Sequence, residues 1–194
     1  MTEPVLATPD DRASVISTIL AAFAGDPAFR YFFGDDQDAR RTFAEYLFDI
    51  RARSGSVWLT DGGASVALWD PPPGPGLEPV NAELPKAIPA AARHRLAGYD
   101  KAIHATFPST PYWYLGVLAT HPEHAGRRLG RAVMRPGLQR AKADGVPAYL
   151  ETATPHNVDL YRRAGWDVVQ SLRVEALDVW ILRHEPLSPA DRPR

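Results

Sequence analysis

The sequence predicts one α/β domain in which seven strands alternate with helices. The chain has 194 residues, a length typical of a single domain, and 45% of them are hydrophobic, as in an ordinary globular core. Short strand-like runs recur between longer segments whose apolar residues follow helical spacing. We expect residues 1–185 to form the domain and residues 186–194, with three prolines, to form a flexible C-terminal tail.

The N-terminal half is predicted to contain a strand, a helical region and a hairpin. Thr8 is expected to cap a helix, because Pro9 suits the first helical position. Gly25 is expected to end this helix. A second helical region follows over 27–53, with a break near 34–36. Strands are expected at residues 5–7, 57–60 and 64–70, the last two forming a hairpin, and the proline-rich segment 71–76 is typical of a loop.

The C-terminal half is predicted to alternate more regularly. The segment 84–107 is expected to be mainly helical, in one or two pieces, and a helix is expected over 128–144. A further helix is expected to begin at Pro155 after the cap Thr154 and to end before Gly165. Strands are expected at 112–120, 148–152, 168–174 and 177–182. Pro136-Gly137 predicts a kink in the helix over 128–144, because an interior proline costs about 3 kcal/mol.

Composition excludes several classes of protein. The net charge of −1 gives no global attraction to nucleic acid or anionic membranes. The chain has no cysteine, so disulfides, thiolate zinc sites and a cysteinyl acyl-enzyme are all excluded. Its six histidines form no H-x-x-x-H pair, and we expect no metal. Without an apolar signal core or a membrane-length run, we expect a cytoplasmic protein with no membrane partner.

The most informative segment is the basic, glycine-bearing loop over 121–131, which follows the apolar run 112–120. A strand enters this loop and a helix leaves it, so unpaired N–H groups gather at the positive end of a helix dipole. Gly126 and Gly130 leave room for a bulky anion. The loop is therefore predicted to hold phosphate groups, with charge added by Arg127, Arg128 and Arg131. The alternative is a basic surface loop that caps an ordinary crossover helix.

This segment resembles the acetyl-CoA signature of the GNAT superfamily of N-acetyltransferases, Gln/Arg-x-x-Gly-x-Gly/Ala. Here the signature is Ala125-Gly-Arg-Arg-Leu-Gly130, with Ala125 in place of the polar residue and Arg128 in place of the middle glycine. We expect Arg128 to lie near the first helical turn, where φ is negative and glycine is not required. The resemblance implies acetyl-CoA as cosubstrate, bound by Ala125, Gly126, Arg127, Arg128, Leu129, Gly130 and Arg131.

The element order extends this resemblance over nearly the whole chain. It implies a mixed, mostly antiparallel seven-stranded sheet with helices on both faces and with strands four and five splayed apart. The pantetheine arm would then bond to main-chain groups of Leu118, Ala119 and Thr120. Segments such as Gly145–Thr152 and Asn157–Trp166 are similar to puromycin N-acetyltransferase-like actinobacterial proteins.

The resemblance also implies catalytic roles for two residues near the wedge that opens between the splayed strands four and five. Asn157 and Tyr161 share one face of a short helix, so Asn157 would contact pantetheine and Tyr161 would protonate the leaving thiolate. A phenol of pKa about 10 does this only slightly uphill, since the conjugate thiol is near 8.5. Glu151 would accept the amine's proton or orient the amine. The alternatives are that Tyr161 only packs against the preceding helix and that Glu151 pairs with Arg162 or Arg163.

The acceptor site is less clear in the sequence. In the resembled family it lies between the first two helices and the last two strands, which makes Asp26, Tyr31 and Glu151 candidate substrate-binding residues. Trp113 and Tyr114 alternate on one strand and therefore face opposite sides of the sheet. His104 is a weaker candidate base, since a lone histidine is more often structural.

The resemblance therefore predicts an acetyl-CoA-dependent N-acetyltransferase that acts on a small primary amine in a ternary complex. An aminonucleoside or aminoacyl antibiotic is one candidate acceptor, with antibiotic resistance as the corresponding role. The alternatives are a non-catalytic CoA-binding sensor or interaction domain and an enzyme that acetylates protein N-termini. No nucleic-acid partner is expected, and either a monomer or a homodimer is compatible with the sequence.

Overall fold

A seven-stranded sheet forms the centre of the computed structural model, which describes residues 3–72 and 84–186. The strands are β1 (Val5–Leu6), β2 (Val57–Thr60), β3 (Ser65–Asp70), β4 (Trp113–Thr120), β5 (Ala148–Thr152), β6 (Asp167–Val174) and β7 (Leu177–His184). Their spatial order is β1-β2-β3-β4-β5-β7-β6. All neighbours pair antiparallel except β4 and β5, which are parallel. The predicted fold class is confirmed.

Within the described ranges, six α-helices connect these strands. They are α1 (Arg12–Ala22), α2 (Pro27–Phe33), α3 (Gln37–Ala52), α4 (Ala90–His104), α5 (Leu129–Ala143) and α6 (Pro155–Arg163). The break near 34–36 separates α2 from α3, as expected from the glycine and the aspartate there. Asp36 accepts a hydrogen bond from the backbone of Ala39 and so begins α3.

Several predicted boundaries were wrong. Thr8 and Asp11 begin a 3₁₀ turn over Pro9–Asp11 rather than α1 itself. The segment 84–89 precedes α4 instead of belonging to it. Residues 73–76 of the proline-rich segment and residues 187–194 of the tail lie outside the described residues. None of the helices in the described part is both long and apolar enough to cross a membrane.

A β-bulge separates the two central strands and defines the predicted wedge. Leu68 pairs with Val117 and Trp69 pairs with Leu115, so Gly116 is an extra residue on β4. β4 pairs with β5 only through Trp113 and Tyr114. Beyond that point β5 continues against β7, while β4 diverges from β5. The splay that the resemblance implied is therefore present.

The core lies on both faces of the sheet. One face packs against α1–α4 with phenylalanines and aliphatic residues. The other packs against α5 and α6 around Trp69 and Trp166, which are fully buried. A Cβ on Gly137 would collide with the Trp69 indole. This contact explains the glycine inside α5, which runs continuously through Pro136.

Candidate active site

The loop between β4 and α5 has an unusual backbone. Gly126 has a φ of +79°, and Arg128 has a φ of +60° in the left-handed region. The expectation that Arg128 lies in the first helical turn with negative φ was wrong, because Arg128 is the cap residue that precedes Leu129. A left-handed conformation costs a non-glycine residue roughly 1–2 kcal/mol. Glycine, the usual residue at this position of the signature, adopts this conformation without that cost, whereas Arg128 does not.

The main-chain donors of this loop are available to a ligand. Among the described residues, the N–H groups of 126–131 donate to no main-chain carbonyl, and the helical ladder starts with Ala132 bonding to Arg128. Gly130 faces the end of β4, where a Cβ would lie 3.4 Å from the Thr120 hydroxyl. Converging N–H groups at a helix N-terminus, beside a diverging strand edge, fit the phosphate and pantetheine parts of CoA.

The three loop arginines differ in their contacts. Arg127 lies 2.8 Å from the Asp61 carboxylate and 2.7 Å from His124 Nδ1, so its guanidinium is already engaged. Arg128 and Arg131 are exposed and form no ion pair with any residue in the described ranges. These two residues therefore place exposed positive charge on the loop.

Glu151 lies on β5 at the wedge and is mostly buried. Its Oε2 atom accepts a 2.5 Å hydrogen bond from the Tyr114 hydroxyl on β4. Burial raises the pKa of Glu151 from 4.5 to about 7, and the hydrogen bond from Tyr114 opposes that rise. Arg162 and Arg163 are exposed, and neither forms an ion pair with Glu151 in the described part of the chain. Glu151 is therefore a desolvated carboxyl group that can exchange a proton near neutral pH.

Other titratable groups surround Glu151 from three helices. Tyr99 and His104 of α4, Arg51 of α3 and Tyr161 of α6 all interact electrostatically with it. The hydrogen bond to Asp100 raises the pKa of His104 to about 9. His104 is therefore protonated at neutral pH, which argues against its role as a base.

Tyr161 and Asn157 lie one turn apart on α6, as predicted. The Tyr161 ring meets the buried Trp166 indole edge-on at 6.1 Å and packs against the core cluster that contains residues of α5. Burial, followed by the charge of Glu151, raises the pKa of Tyr161 well above 10. The phenol therefore stays protonated as a donor. Proton transfer from Tyr161 to a thiolate therefore costs more free energy than transfer from an ordinary phenol.

The acceptor-side candidates have structural partners. Asp26 caps α2 by accepting from Ala28 and Phe29, and its second oxygen accepts a 3.3 Å hydrogen bond from Thr154. Tyr31 donates a 2.7 Å hydrogen bond to Glu175 in the turn between β6 and β7. α2 is thereby joined to both α6 and the last hairpin.

Trp113 and Tyr114 do face opposite sides of β4. The Trp113 indole donates to Asp144 after α5, while Tyr114 meets Glu151 on the α4 side. Sequence analysis missed that contact and the Arg51–Asp70 pair described below. Strand alternation indicated the face of Tyr114, but nothing local indicated its partner.

One histidine cluster was not expected from the sequence. Ligand atoms of His121, Glu123 and His124 lie within 4.8 Å of one another. However, Arg127 is hydrogen-bonded to His124 Nδ1, which places a guanidinium where a cation would have to bind. The cluster supports no metal assignment.

The fold and the arrangement of the loop and the wedge agree with the resemblance found in the sequence. The model of the acetyltransferase (GNAT) family matches residues 79–166, a segment that contains the loop, Glu151, Asn157 and Tyr161. The match spans 88 of the 194 residues, and the general cosubstrate of the matched family is acetyl-CoA.

Solved structures agree with the fold over nearly the full chain. An acetyltransferase from Corynebacterium glutamicum, described as histone acetyltransferase HPA2 and related acetyltransferase, is 21% identical with a TM-score of 0.66, covering 97% of this chain and 99% of that one. The Drosophila melanogaster polyamine N-acetyltransferase that forms N-acetylagmatine is 14% identical, with a TM-score of 0.72 and coverage of 95% and 100%. At these identities the likeness establishes the shared fold.

Proposed function

We propose that this chain transfers an acetyl group from acetyl-CoA to the primary amine of a small molecule within a ternary complex. The observation that carries the proposal is the Glu151 carboxyl group, desolvated at the wedge with a pKa of about 7. Tyr161 approaches the same wedge from α6. A proton acceptor and a proton donor on either side of a cleft are what aminolysis of a thioester requires.

The amine must lose a proton, and Glu151 is suited to take it. An α-ammonium group has a pKa of about 7.8, close to that of Glu151, whereas a lysine ammonium near 10.4 is over three units higher. Transfer from an α-amine is therefore nearly balanced. This match favours acceptors whose amine is weakly basic, such as aminoacyl compounds.

The cosubstrate site is assigned to the loop and to the diverging edge of β4. N–H groups of 126–131, with Arg128 and Arg131, would hold the phosphates, and Leu118, Ala119 and Thr120 would bond the pantetheine arm. Acetyl-CoA supplies the acetyl group as an activated thioester. Asn157 would contact the arm, and the Tyr161 hydroxyl would donate to the departing sulfur.

The acceptor class follows from the residues around Glu151. Tyr31 and Asp26 lie on α2 or at its start, and the tyrosines around Glu151 suit an amine with an aromatic body. Together with the similarity to puromycin N-acetyltransferase-like proteins, they favour an aminonucleoside or aminoacyl antibiotic. On this proposal the protein is a single domain over residues 1–185 that needs no metal.

Mass spectrometry of the purified protein with acetyl-CoA and an amine panel tests the proposal. The panel contains puromycin, amino acid amides, agmatine, polyamines and a short peptide. We expect puromycin or an amino acid amide to be acetylated once. Agmatine should react more slowly at pH 7. Acetylation of the peptide alone would contradict the small-molecule acceptor. Tight CoA binding with no acetylated amine would contradict catalysis and favour a sensor.

A further inference from the structure

The position of Tyr114 relative to Glu151 carries an inference about how the carboxylate is held. Tyr114 occupies the last paired position of β4 with β5, opposite Tyr149. Glu151 lies two residues beyond Tyr149 and therefore on the same face of the sheet. After Tyr114 the bulge at Gly116 turns β4 away. The Tyr114 hydroxyl is thus the last side-chain donor of β4 before the wedge opens.

The Tyr114 ring is itself fixed by its neighbours. It packs against Phe107 at 5.5 Å and against His104 at 6.2 Å between ring centroids. A ring held on a paired strand points its hydroxyl in one direction, and that hydroxyl bonds Glu151 Oε2 at 2.5 Å. One carboxylate oxygen is thereby committed to Tyr114.

We propose that Tyr114 is a positioning residue, whose hydroxyl fixes one oxygen of Glu151 so that the other faces the acceptor amine. This inference rests on the proposed function, in which Glu151 takes the amine's proton. Without this hydrogen bond the Glu151 side chain would sample several rotamers, and only some of them direct a carboxylate oxygen into the wedge. The hydrogen bond selects among them without contact to the substrate.

Among the groups around Glu151, Tyr114 makes the strongest hydrogen bond to the carboxylate. Tyr99 of α4 adds a weaker hydrogen-bond contribution, while His104 of α4, Arg51 of α3 and Tyr161 of α6 act on the carboxylate electrostatically. On β7 its cross-strand neighbour is the apolar Ile181. The Tyr114 bond favours the ionised form, and burial favours the neutral form. Loss of the hydroxyl must therefore raise the pKa of Glu151.

A matched pair of variants, Tyr114→Phe and Tyr112→Phe, tests the inference. Tyr112 packs in the same aromatic group, 5.2 Å from Phe107 and 5.3 Å from Tyr149, but forms no hydrogen bond with Glu151. The Glu151 δ-carbon is titrated by NMR in ¹³C-glutamate-labelled protein, with Glu151→Gln used for assignment. The pH profile of kcat/KM is measured on the same proteins.

We expect Tyr114→Phe to raise the midpoint of Glu151 by about one to two pH units, since hydrogen bonds to charged groups are strong. Tyr112→Phe should leave the midpoint unchanged. The acidic limb of kcat/KM should move with the NMR midpoint, so that activity at pH 7 falls about five- to fiftyfold and recovers near pH 9.5. The amine's own titration is common to all variants and cancels in the comparison.

The failures are distinguishable. An unchanged NMR midpoint in Tyr114→Phe overturns the positioning role and leaves the proposed function standing. A shifted midpoint with an unshifted kinetic profile overturns Glu151 as the base and the positioning role with it, whereas the proposed acetyl transfer fails only if no amine is acetylated at any pH. Should Tyr114→Phe fail to fold, a fluorinated tyrosine at position 114 serves instead. Its more acidic phenol should lower the midpoint, and a midpoint that does not fall overturns the inference.

Discussion

Arg51 and Asp70 form a buried ion pair directly beneath the bulge of β4. Their N–O distance is 2.7 Å, and their side chains are only 6% and 14% exposed. The pair joins the last turn of α3 to the end of β3. The Arg51 guanidinium occupies the space that a Cβ on Gly116 would need. The bulge that opens the wedge is therefore packed directly against a buried charged group.

Replacing Gly116 with alanine should disturb both stability and activity. The new Cβ would push the guanidinium away from Asp70, and a buried pair tolerates such displacement poorly. We expect the free energy of unfolding to fall by about 1–3 kcal/mol, as for other overpacked sites. We also expect a lower kcat/KM for acetyl-CoA, because β4 borders the wedge. Urea denaturation and steady-state kinetics measure the two effects.

Gly98→Ala is the matched control for this prediction. Gly98 lies inside α4, and a Cβ there would meet nothing within 4 Å. The same substitution should stabilise the protein by roughly 0.5–1 kcal/mol, since alanine is the better helix former. If Gly116→Ala were as stable as Gly98→Ala, the packing argument would be wrong.

The left-handed backbone at Arg128 gives a second prediction. Arg128→Gly and Arg128→Ala remove the same charge, but only glycine relieves the conformation at φ +60°. We expect the glycine variant to be more stable than the alanine variant by about 1 kcal/mol, measured by thermal unfolding. Both should raise the KM for acetyl-CoA similarly if Arg128 contacts a phosphate. A normal KM in both variants would show that the guanidinium does not take part in binding.

The raised pKa of Glu151 predicts a pH-dependent gain in stability for Glu151→Gln. The folded pKa of about 7 exceeds the unfolded value of 4.5, so the native state binds more protons between these values and wild-type stability falls as the pH rises. Glutamine does not ionise, so the free energy of unfolding of the variant does not fall in this way. Above pH 7 it should exceed that of the wild type by up to about 3 kcal/mol. Denaturant titrations at pH 4.5 and 8 measure the difference, which should nearly vanish at pH 4.5. An equal difference at both pH values would refute the raised pKa.

His104 titrates in the same sense as Glu151 but in a separate, more alkaline pH window. Its folded pKa of about 9 exceeds the ordinary 6.5, so its contribution to stability is present below pH 6.5 and is lost as the pH rises through 9. Asp100→Asn should reduce this alkaline loss in denaturant titrations at pH 7 and 9.5. His104→Gln should keep most of the activity at pH 7, because a protonated imidazole is no base. A loss of about a hundredfold would restore it as a candidate base.

The sequence predicted those parts of the molecule that local patterns determine. The hairpin, the helix that begins after Thr154 and the alternation of Trp113 with Tyr114 all followed from neighbouring residues. Contacts between distant segments, such as Tyr114 with Glu151 and Arg51 with Asp70, leave no local pattern. The sign of φ at Arg128 was predicted wrongly, because the helix begins one residue later than its composition suggests.

Tyr161→Phe provides the most direct prediction about the chemical step. The phenylalanine ring keeps the edge contact with Trp166, so the fold and acetyl-CoA binding should persist. The hydroxyl is lost, and kcat should fall about a hundredfold or more while the KM for acetyl-CoA changes little. Asn157→Ala, one turn earlier on α6, should instead raise that KM with a smaller effect on kcat. Equal changes of kcat and KM in Tyr161→Phe would indicate that Tyr161 only packs, and an unchanged kcat would exclude it as the proton donor.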